Sequence, residues 1–355
     1  MSPFENDLKP NGKRTELVWT ISQLVFAASS LVLMVLTIAD RITLEGPYGF
    51  LLLGIALSTL YIAGIVLFVR RLRRVRTYGL RLALTGLPAV GKTMFSVLVF
   101  DTLMNERLPN LRFSAESRSI ISVYQAIRNL SSEVWPRSTA KGSISVYEGV
   151  MESRRLRVNL ELGDSAGEYW LDFGEEDQRD PGYLEYVISA NGLVHVIPIE
   201  SVLTSYLSPN YLNDEIQDLR LVARLKRQTR GDAAQVPLLI VLSKVDLVVP
   251  PSLLEQPHSG LLQIVDITEV RSLSLMSGFN ERDEARLLDA LHLLSESLDA
   301  DFSSVQFVFS SVPAIVQSRL GVGETGSGLI RWILRTAINT PKGRPSIFSI
   351  LSGPR

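Results

Sequence analysis

Two long uncharged apolar stretches near the N-terminus constrain the fold of this chain more than any other feature. Residues 17–39 and residues 48–69 contain no Asp, Glu, Lys or Arg. Each stretch matches the roughly 20 apolar residues that a helix needs to cross about 30 Å of hydrocarbon. A cleaved signal peptide fits poorly, because the first stretch is too long and a second follows it directly. We predict a two-helix transmembrane hairpin, with a buried hairpin of a soluble core as the alternative.

Charges that flank the two stretches predict their orientation. Five arginines lie within residues 70–76, whereas the connecting loop 40–47 carries a single arginine. Because cytoplasmic loops carry the excess of Lys and Arg, both chain ends are expected in the cytoplasm. The sequence therefore predicts an integral protein of the inner or plasma membrane. Its parts are a cytoplasmic tail (1–16), the hairpin (17–69), a basic linker (70–79) and a cytoplasmic domain.

Composition narrows the chemistry of the remaining chain. There is no cysteine, and the three histidines are widely spaced. Any metal site must therefore be built from oxygen ligands, which suits magnesium. The net charge of −1 gives no reason to expect a nucleic-acid partner.

A phosphate-binding pattern follows the basic linker. Residues 80–85 read as a buried strand and residues 94–100 as an apolar helix, and between them the sequence runs G-x-x-x-x-G-K-T. Glycines allow backbone N–H groups to converge on phosphates at a helix N-terminus. We expect Lys92 to reach the β and γ phosphates and the Thr93 hydroxyl to bind magnesium. The nucleotide-binding candidates of this loop are Gly86, Pro88, Ala89, Val90, Gly91, Lys92 and Thr93.

A second phosphate-facing segment is predicted at the end of a hairpin. Residues 143–151 and 156–163 read as two strands joined by a polar turn. The second strand runs into Asp164-Ser165-Ala166-Gly167, a D-x-x-G sequence. Alone this tetrapeptide is a weak signal, since Asp and Gly are ordinary turn residues. Its place after a hairpin and a phosphate loop indicates that Asp164 holds magnesium and that the Gly167 N–H senses the terminal phosphate.

Two later strands carry candidate base-recognition residues. The apolar run 236–242, typical of a central parallel strand, ends in Ser243-Lys244-Val245-Asp246. Asp246 is expected to accept hydrogen bonds from the guanine N1–H and amino group, with Lys244 lying along the base. The strand 305–309 ends in Ser310 and Ser311, whose loop is expected to contact the guanine carbonyl.

Taken in order, these motifs resemble those of the Ras-like, translation-factor-class P-loop GTPases over residues 80–337. The resemblance implies an α/β fold, with a mixed, mostly parallel sheet, helices on both faces and the ligand at the strand C-terminal ends. It also implies GTP/GDP and Mg²⁺ as ligands of a domain spanning 80–338, before a flexible tail (339–355). The layout further resembles that of prokaryotic double-GTPase proteins of conflict systems, which are tied to phage defence.

The chain departs from this family at Ser243, in the stretch before the hairpin and at Glu168. Ser243 replaces the usual Asn or Thr, which puts one supporting hydrogen bond in question. The stretch before the hairpin is long, and a predicted helix at 115–133 is favoured as a packed extra element over an effector arm. Thr139 is assigned as the switch threonine that completes magnesium coordination, with Ser138 as the alternative. Glu168 stands where many relatives have a water-orienting glutamine. It is interpreted as a solvated side chain, with a role as base the alternative.

These expectations support a membrane-anchored GTPase that hydrolyses GTP to GDP as a conformational switch. Its catalytic candidates are Lys92, Thr139, Gly167 and Glu168, and its metal ligands are Thr93, Thr139 and Asp164. Hydrolysis is expected to be slow or activated by a partner. The alternatives are a non-catalytic GTP-binding scaffold or receptor subunit, and an ATP-driven membrane protein. A protein effector or activator is the expected partner, and self-association is left open. An insertion at 250–300 contains a predicted helix over 280–298.

Overall fold

The computed structural model describes residues 64, 76–105, 111–131, 139, 143–153, 156–172, 180–204, 210–230, 235–256, 259–311 and 326–339. The chain divides into two compact units, 1–74 and 75–355. Apart from Gly64, the predicted spans 17–39 and 48–69 lie outside the described residues. Among the residues that are described, no helix combines the length and the apolar character needed to cross a bilayer.

The second unit is built on a sheet whose eight described strands run in the order β2-β3-β4-β1-β5-β6-β8-β7. Strands β1, β4, β5, β6 and β8 are mutually parallel, whereas β2, β3 and β7 pair antiparallel. The strands are β1 (Arg76–Thr85), β2 (Arg112–Ala115), β3 (Ile144–Glu152), β4 (Leu156–Ser165), β5 (Gly192–Pro198), β6 (Pro237–Ser243), β7 (Ile264–Val265) and β8 (Ser304–Phe309).

The described helices comprise nine α-helices and three short 3₁₀ segments. The α-helices are α1 (Lys92–Asn105), α2 (Ser117–Ser131), α3 (Glu168–Leu171), α4 (Pro181–Ser189), α5 (Ile199–Thr204), α6 (Asn210–Arg230), α7 (Pro251–Leu254), α8 (Glu281–Leu298) and α9 (Gly326–Asn339). The 3₁₀ segments are Val245–Leu247, Ile267–Ser272 and Ser274–Gly278.

Helices cover both faces of the sheet, as alternate side chains of β1 show. Successive residues of a strand point to opposite faces. Arg81 reaches α4, where its guanidinium donates to Ser189 and lies 5.2 Å from the centre of the Tyr186 ring. Leu82, the next residue, lies on the face where α9 packs beside Gly192. Strand β5 is buried along its whole length, which explains its continuous apolar sequence.

The predicted mixed, mostly parallel α/β sheet with helices on both faces is confirmed. Strand β1 begins at Arg76, before the expected residue 80, and α9 extends to Asn339. The predicted helix 115–133 begins only at Ser117, because residues 112–115 pair with β3 as a strand. It packs on the domain with Val123 fully buried, as expected for an extra element. Helix α8 matches the helix predicted within the insertion.

Candidate functional site

The loop between β1 and α1 (86–93), called the phosphate loop after its predicted role, has the backbone conformation of a tight, glycine-dependent turn. Gly86 and Gly91 have φ values of 130° and 100°, and Ala89 has a φ of 59°. A Cβ atom on Gly86 would lie 2.5 Å from the Val196 carbonyl oxygen, so only glycine fits there. The loop feeds directly into the first turn of α1, where unpaired backbone N–H groups favour an anion.

Lys92 is buried inside this loop. It is 6% exposed, and its Nζ donates to the carbonyl oxygens of Gly86 at 2.8 Å and Leu87 at 2.7 Å. Burial lowers the pKa of Lys92 to about 8, against the opposing effect of the Asp164 and Glu168 charges. The ammonium group is therefore held within the curve of the loop by backbone carbonyls.

The three predicted metal ligands lie together, because both threonines contact the Asp164 carboxylate. Thr93 Oγ1 donates to Asp164 Oδ2 at 2.6 Å, and Thr139 Oγ1 donates to the same oxygen at 2.9 Å. The two hydroxyl oxygens are 3.4 Å apart. The structure thus brings Thr139, not only Thr93, to Asp164, while the alternative Ser138 lies outside the described residues.

The donor set of this cluster fits a small, hard cation. Asp164 is fully buried, and its Oδ1 has no hydrogen-bond partner among the described residues. Burial raises the pKa of Asp164, while the threonine hydroxyls and Lys92 lower it. Within the described chain, no three His, Cys, Asp or Glu side chains form a metal site. One carboxylate and two hydroxyls suit magnesium, because Mg²⁺ is usually bound by one or two carboxylates with further oxygen ligands from outside the protein.

Gly167 places the D-x-x-G turn directly against the phosphate loop. A Cβ atom at position 167 would lie 2.2 Å from the Pro88 nitrogen and 2.4 Å from the Pro88 Cα. The next residue, Glu168, begins α3 and is half-buried rather than fully solvated. Its charge raises the pKa of Lys92, so the carboxylate lies near the buried ammonium group, and the interpretation of Glu168 as a solvated side chain stays a prediction.

The loop after β6 is hydrogen-bonded to the phosphate loop. The Ser243 hydroxyl donates to the Val90 carbonyl at 2.6 Å and is buried. The serine at this position therefore makes one side-chain hydrogen bond to the backbone of the loop. Lys244 has a φ of 58°, a left-handed conformation that begins the turn carrying Asp246.

The loop after β8 orients Asp246. The Ser311 hydroxyl donates to Asp246 Oδ1 at 2.7 Å, and the Val245 N–H donates to the Ser310 carbonyl at 3.3 Å. Sequence reasoning assigned Ser311 to a backbone contact with the base. Its side chain contacts the carboxylate that is expected to read the base, and the backbone contact with the base stays a prediction.

A buried polar group behind the site was missed by sequence reasoning. His195 lies fully buried in β5, between Thr85 and Glu215. The available signal was one polar residue within the otherwise apolar run of residues 192–198. Its partners could not be identified from sequence, because they lie 110 residues upstream and on a separate helix.

No protein-family model matches the chain, and no curated protein matches it. Among solved structures, one similar to this chain is that of the Arl6 BBS3 small GTPase from Trypanosoma brucei with bound nucleotide analogue GppNp. The two share 13% sequence identity over 74% of this chain and 99% of that chain, with a TM-score of 0.35. A similarity at this TM-score does not assign a function, so functional inference depends on the residues of the site.

Proposed function

We propose that this chain binds Mg-GTP and hydrolyses it to GDP as a conformational switch. The observation that carries the proposal is the convergence of segments from distant parts of the chain around the loop 86–93. Asp164 and Thr139 contact Thr93, Gly167 packs on Pro88, and Ser243 binds the Val90 carbonyl. Segments that pack for stability alone have no need to bring a buried carboxylate, two hydroxyls and an ammonium group together.

The phosphates would be held by the loop amides and Lys92. The ammonium group already lies inside the loop, bound to two carbonyl oxygens that phosphate oxygens can replace as partners. Thr93, Thr139 and Asp164 would hold Mg²⁺, which neutralises phosphate charge when bound. Asp164 Oδ1 is a buried acceptor that has no partner among the described residues, and such an acceptor is costly unless it gains a partner.

Asp246 would select guanine over adenine. A carboxylate accepts hydrogen bonds from the N1–H and the exocyclic amino group of guanine, which adenine does not present in that geometry. The Ser311 hydroxyl restrains this carboxylate before any base arrives, which lowers the entropy cost of recognition.

The switch would consist of the segments around Thr139 and Gly167. Both contact residues that face the terminal phosphate in this proposal, so losing that phosphate removes a shared anchor. Glu168 cannot orient water as a neutral glutamine amide does, although its charge lies close enough to influence Lys92. Intrinsic hydrolysis is therefore expected to be slow, and a partner that supplies a positive charge would accelerate it.

The domain would be anchored in a membrane by residues 17–69. Two uncharged stretches of spanning length, followed by five arginines within residues 70–76, support this part of the proposal. The proposed activity does not depend on the resemblance to conflict-system GTPases, which concerns chain layout alone.

A GTP-binding scaffold that does not hydrolyse its nucleotide is the second candidate. The observation that favours it is Glu168 at the position of the water-orienting glutamine, close enough for its charge to raise the pKa of Lys92. Such a protein would hold GTP for stability and recruit a partner at the membrane.

Nucleotide affinity and single-turnover hydrolysis by the full-length chain in detergent separate the candidates. We expect GTP to bind more tightly than ATP, and Asp246→Asn to shift preference toward XTP, whose 2-oxo group complements an amide. Asp289→Asn, an exposed aspartate of α8, is the matched control and should leave the preference unchanged. GTP binding without turnover would support the scaffold. Equal affinity for ATP and GTP would refute guanine recognition by Asp246.

A further inference from the structure

A buried polar chain, formed by Thr85, His195, Glu215 and Trp170, connects β1 to α3. Thr85 Oγ1 and His195 Nδ1 are 2.9 Å apart, and His195 Nε2 lies 2.9 Å from Glu215 Oε2. The Trp170 indole N–H donates to the same Glu215 oxygen at 2.8 Å. None of the four residues is more than 4% exposed. Buried polar groups are costly unless they are paired. A paired network of this kind therefore favours one defined arrangement of the core.

Glu215 is the centre of this buried polar chain. Burial alone would raise the pKa of Glu215, but the neighbouring His195 and the hydrogen bond from Trp170 hold it below its ordinary value. The side chain therefore remains a carboxylate inside the domain, and a carboxylate is a stronger acceptor than a neutral group.

The two ends of the buried polar chain lie next to the nucleotide site. Thr85 is the last residue of β1 and directly precedes Gly86. Trp170 follows Gly167 by three residues, and Gly167 packs on Pro88 of the phosphate loop. Glu215 thus connects the segment that faces the terminal phosphate with the strand that carries the phosphate loop.

Helix α3 depends on such anchors for its position. It has four residues, too few for a helix to be stable by itself. Tyr169 stacks on Tyr183 of α4 with ring centres 5.0 Å apart, which provides a second anchor. Of these two anchors, the contact between Trp170 and Glu215 is a hydrogen bond.

We propose that Glu215 is a positioning residue for GTP hydrolysis. By accepting the Trp170 N–H it holds Gly167 and Glu168 against the phosphate loop, in the geometry from which water attacks the terminal phosphate. The inference rests on the proposed GTPase function. Turnover is sensitive to such placement, because a displacement of about 1 Å costs on the order of 100-fold in rate.

The test compares Trp170→Phe, Glu215→Ala and Glu215→Gln with the wild-type full-length chain in detergent. Single-turnover GTP hydrolysis is normalised to bound nucleotide, which counts folded molecules. We expect Trp170→Phe and Glu215→Ala each to slow hydrolysis about tenfold, about 1.4 kcal/mol in barrier height. Nucleotide affinity should change less than about twofold, because the phosphate loop is intact. Glu215→Gln keeps an acceptor for the indole and should restore the rate to within about threefold.

Two further variants separate positioning from folding. The double variant Trp170→Phe/Glu215→Ala should be no slower than the slower single variant, because both substitutions remove the same hydrogen bond between Trp170 and Glu215. Lys226→Met is the matched control on the same helix, since the buried Lys226 Nζ donates to the carbonyls of Val187, Ile188 and Ala190. It should lower the melting temperature and leave turnover per bound nucleotide unchanged.

Three results would overturn the role of Glu215. One is a Trp170→Phe rate equal to wild type, and another is a Glu215→Gln rate as low as that of Glu215→Ala. The third is an equal loss of turnover in Lys226→Met, which would reduce the effect to general destabilisation. In all three cases the wild-type chain hydrolyses GTP. A wild-type chain that binds but does not hydrolyse GTP would instead refute the proposed GTPase activity.

Discussion

At the scale of single residues, Gly167 has the narrowest tolerance in the site. Its backbone lies so close to Pro88 that a methyl group would overlap the Pro88 nitrogen at 2.2 Å. We expect Gly167→Ala to push the D-x-x-G turn off the phosphate loop and to slow hydrolysis at least about tenfold, with GDP binding retained. Gly79→Ala is the control, because nothing lies within 4 Å of its added Cβ. Wild-type turnover in Gly167→Ala would contradict the close packing of this turn.

A single glutamate on β3 gives the domain a pH-dependent stability term. Glu148 is an exposed residue, and partial desolvation of its carboxyl, followed by the hydrogen bond and charge of Glu116, raises its pKa from 4.5 to about 6. Since the folded state binds this proton more tightly, the stabilisation is complete below pH 4.5 and is lost as pH rises through 6. We therefore expect Glu148→Gln to melt at a higher temperature than wild type above pH 6, with the difference vanishing near pH 4.5.

Thermal unfolding of wild type and Glu148→Gln, measured above pH 6 and near pH 4.5, checks this expectation. Glu185→Gln, at an exposed glutamate of α4, provides the control for the removal of one surface charge. A stabilisation by Glu148→Gln that is larger at the acidic pH would contradict the assigned direction.

At the scale of elements, α8 shows how an inserted segment is held by one face. Leu291 is fully buried, whereas Leu293, two positions later, is 43% exposed. We expect Leu291→Ala to reduce the free energy of unfolding by about 2–5 kcal/mol, because it leaves a cavity. Leu293→Ala should change it by less than about 0.5 kcal/mol, as surface substitutions usually do. Urea unfolding of the two variants measures the difference. Equal losses of unfolding free energy would contradict the burial of one face of α8.

The sequence predicted those strands and helices whose pattern of apolar and polar residues is visible within the segment itself. The strand at 236–242 and the helix at 280–298 follow from an apolar run and from an amphipathic period with an Asn cap. Strands β2 and β7 were missed, because four and two residues gain their structure from pairing with β3 and β8. Helix α4 could have been found, since Asp180 caps it and Pro181 opens it.

The same distinction between local patterns and long-range contacts holds for the candidate site. The loops containing Lys92, Asp164 and Asp246 were predicted, because each motif has a local spacing that the chemistry requires. The contacts of Trp170 with Glu215 and of Thr85 with His195 were not, since the partners are 45 and 110 residues apart and belong to no motif. Long-range polar pairing depends on the fold, and one sequence does not record it.

At the scale of the whole molecule, the absence of native cysteine allows a direct test of the predicted topology. A Thr43→Cys variant places a thiol in the predicted outer loop, and Ser352→Cys places one near the C-terminus. We expect a membrane-impermeant maleimide to label Thr43→Cys in intact cells and Ser352→Cys only after lysis, since the positive-inside rule predicts that both chain ends are cytoplasmic. The unmodified chain is the control for background labelling. Labelling of Ser352→Cys in intact cells would contradict the predicted orientation.

The outermost described strands of the sheet, β2 and β7, are also its shortest, at four and two residues. Long strands such as β1 and β4 lie inside the sheet, where neighbours use their backbone donors and acceptors. A short edge strand offers few unpaired backbone N–H and C=O groups to a second chain. Natural proteins use short edge strands to prevent amyloid-like association through the sheet edge. The domain should consequently tolerate concentration and long storage without converting into fibrous aggregates.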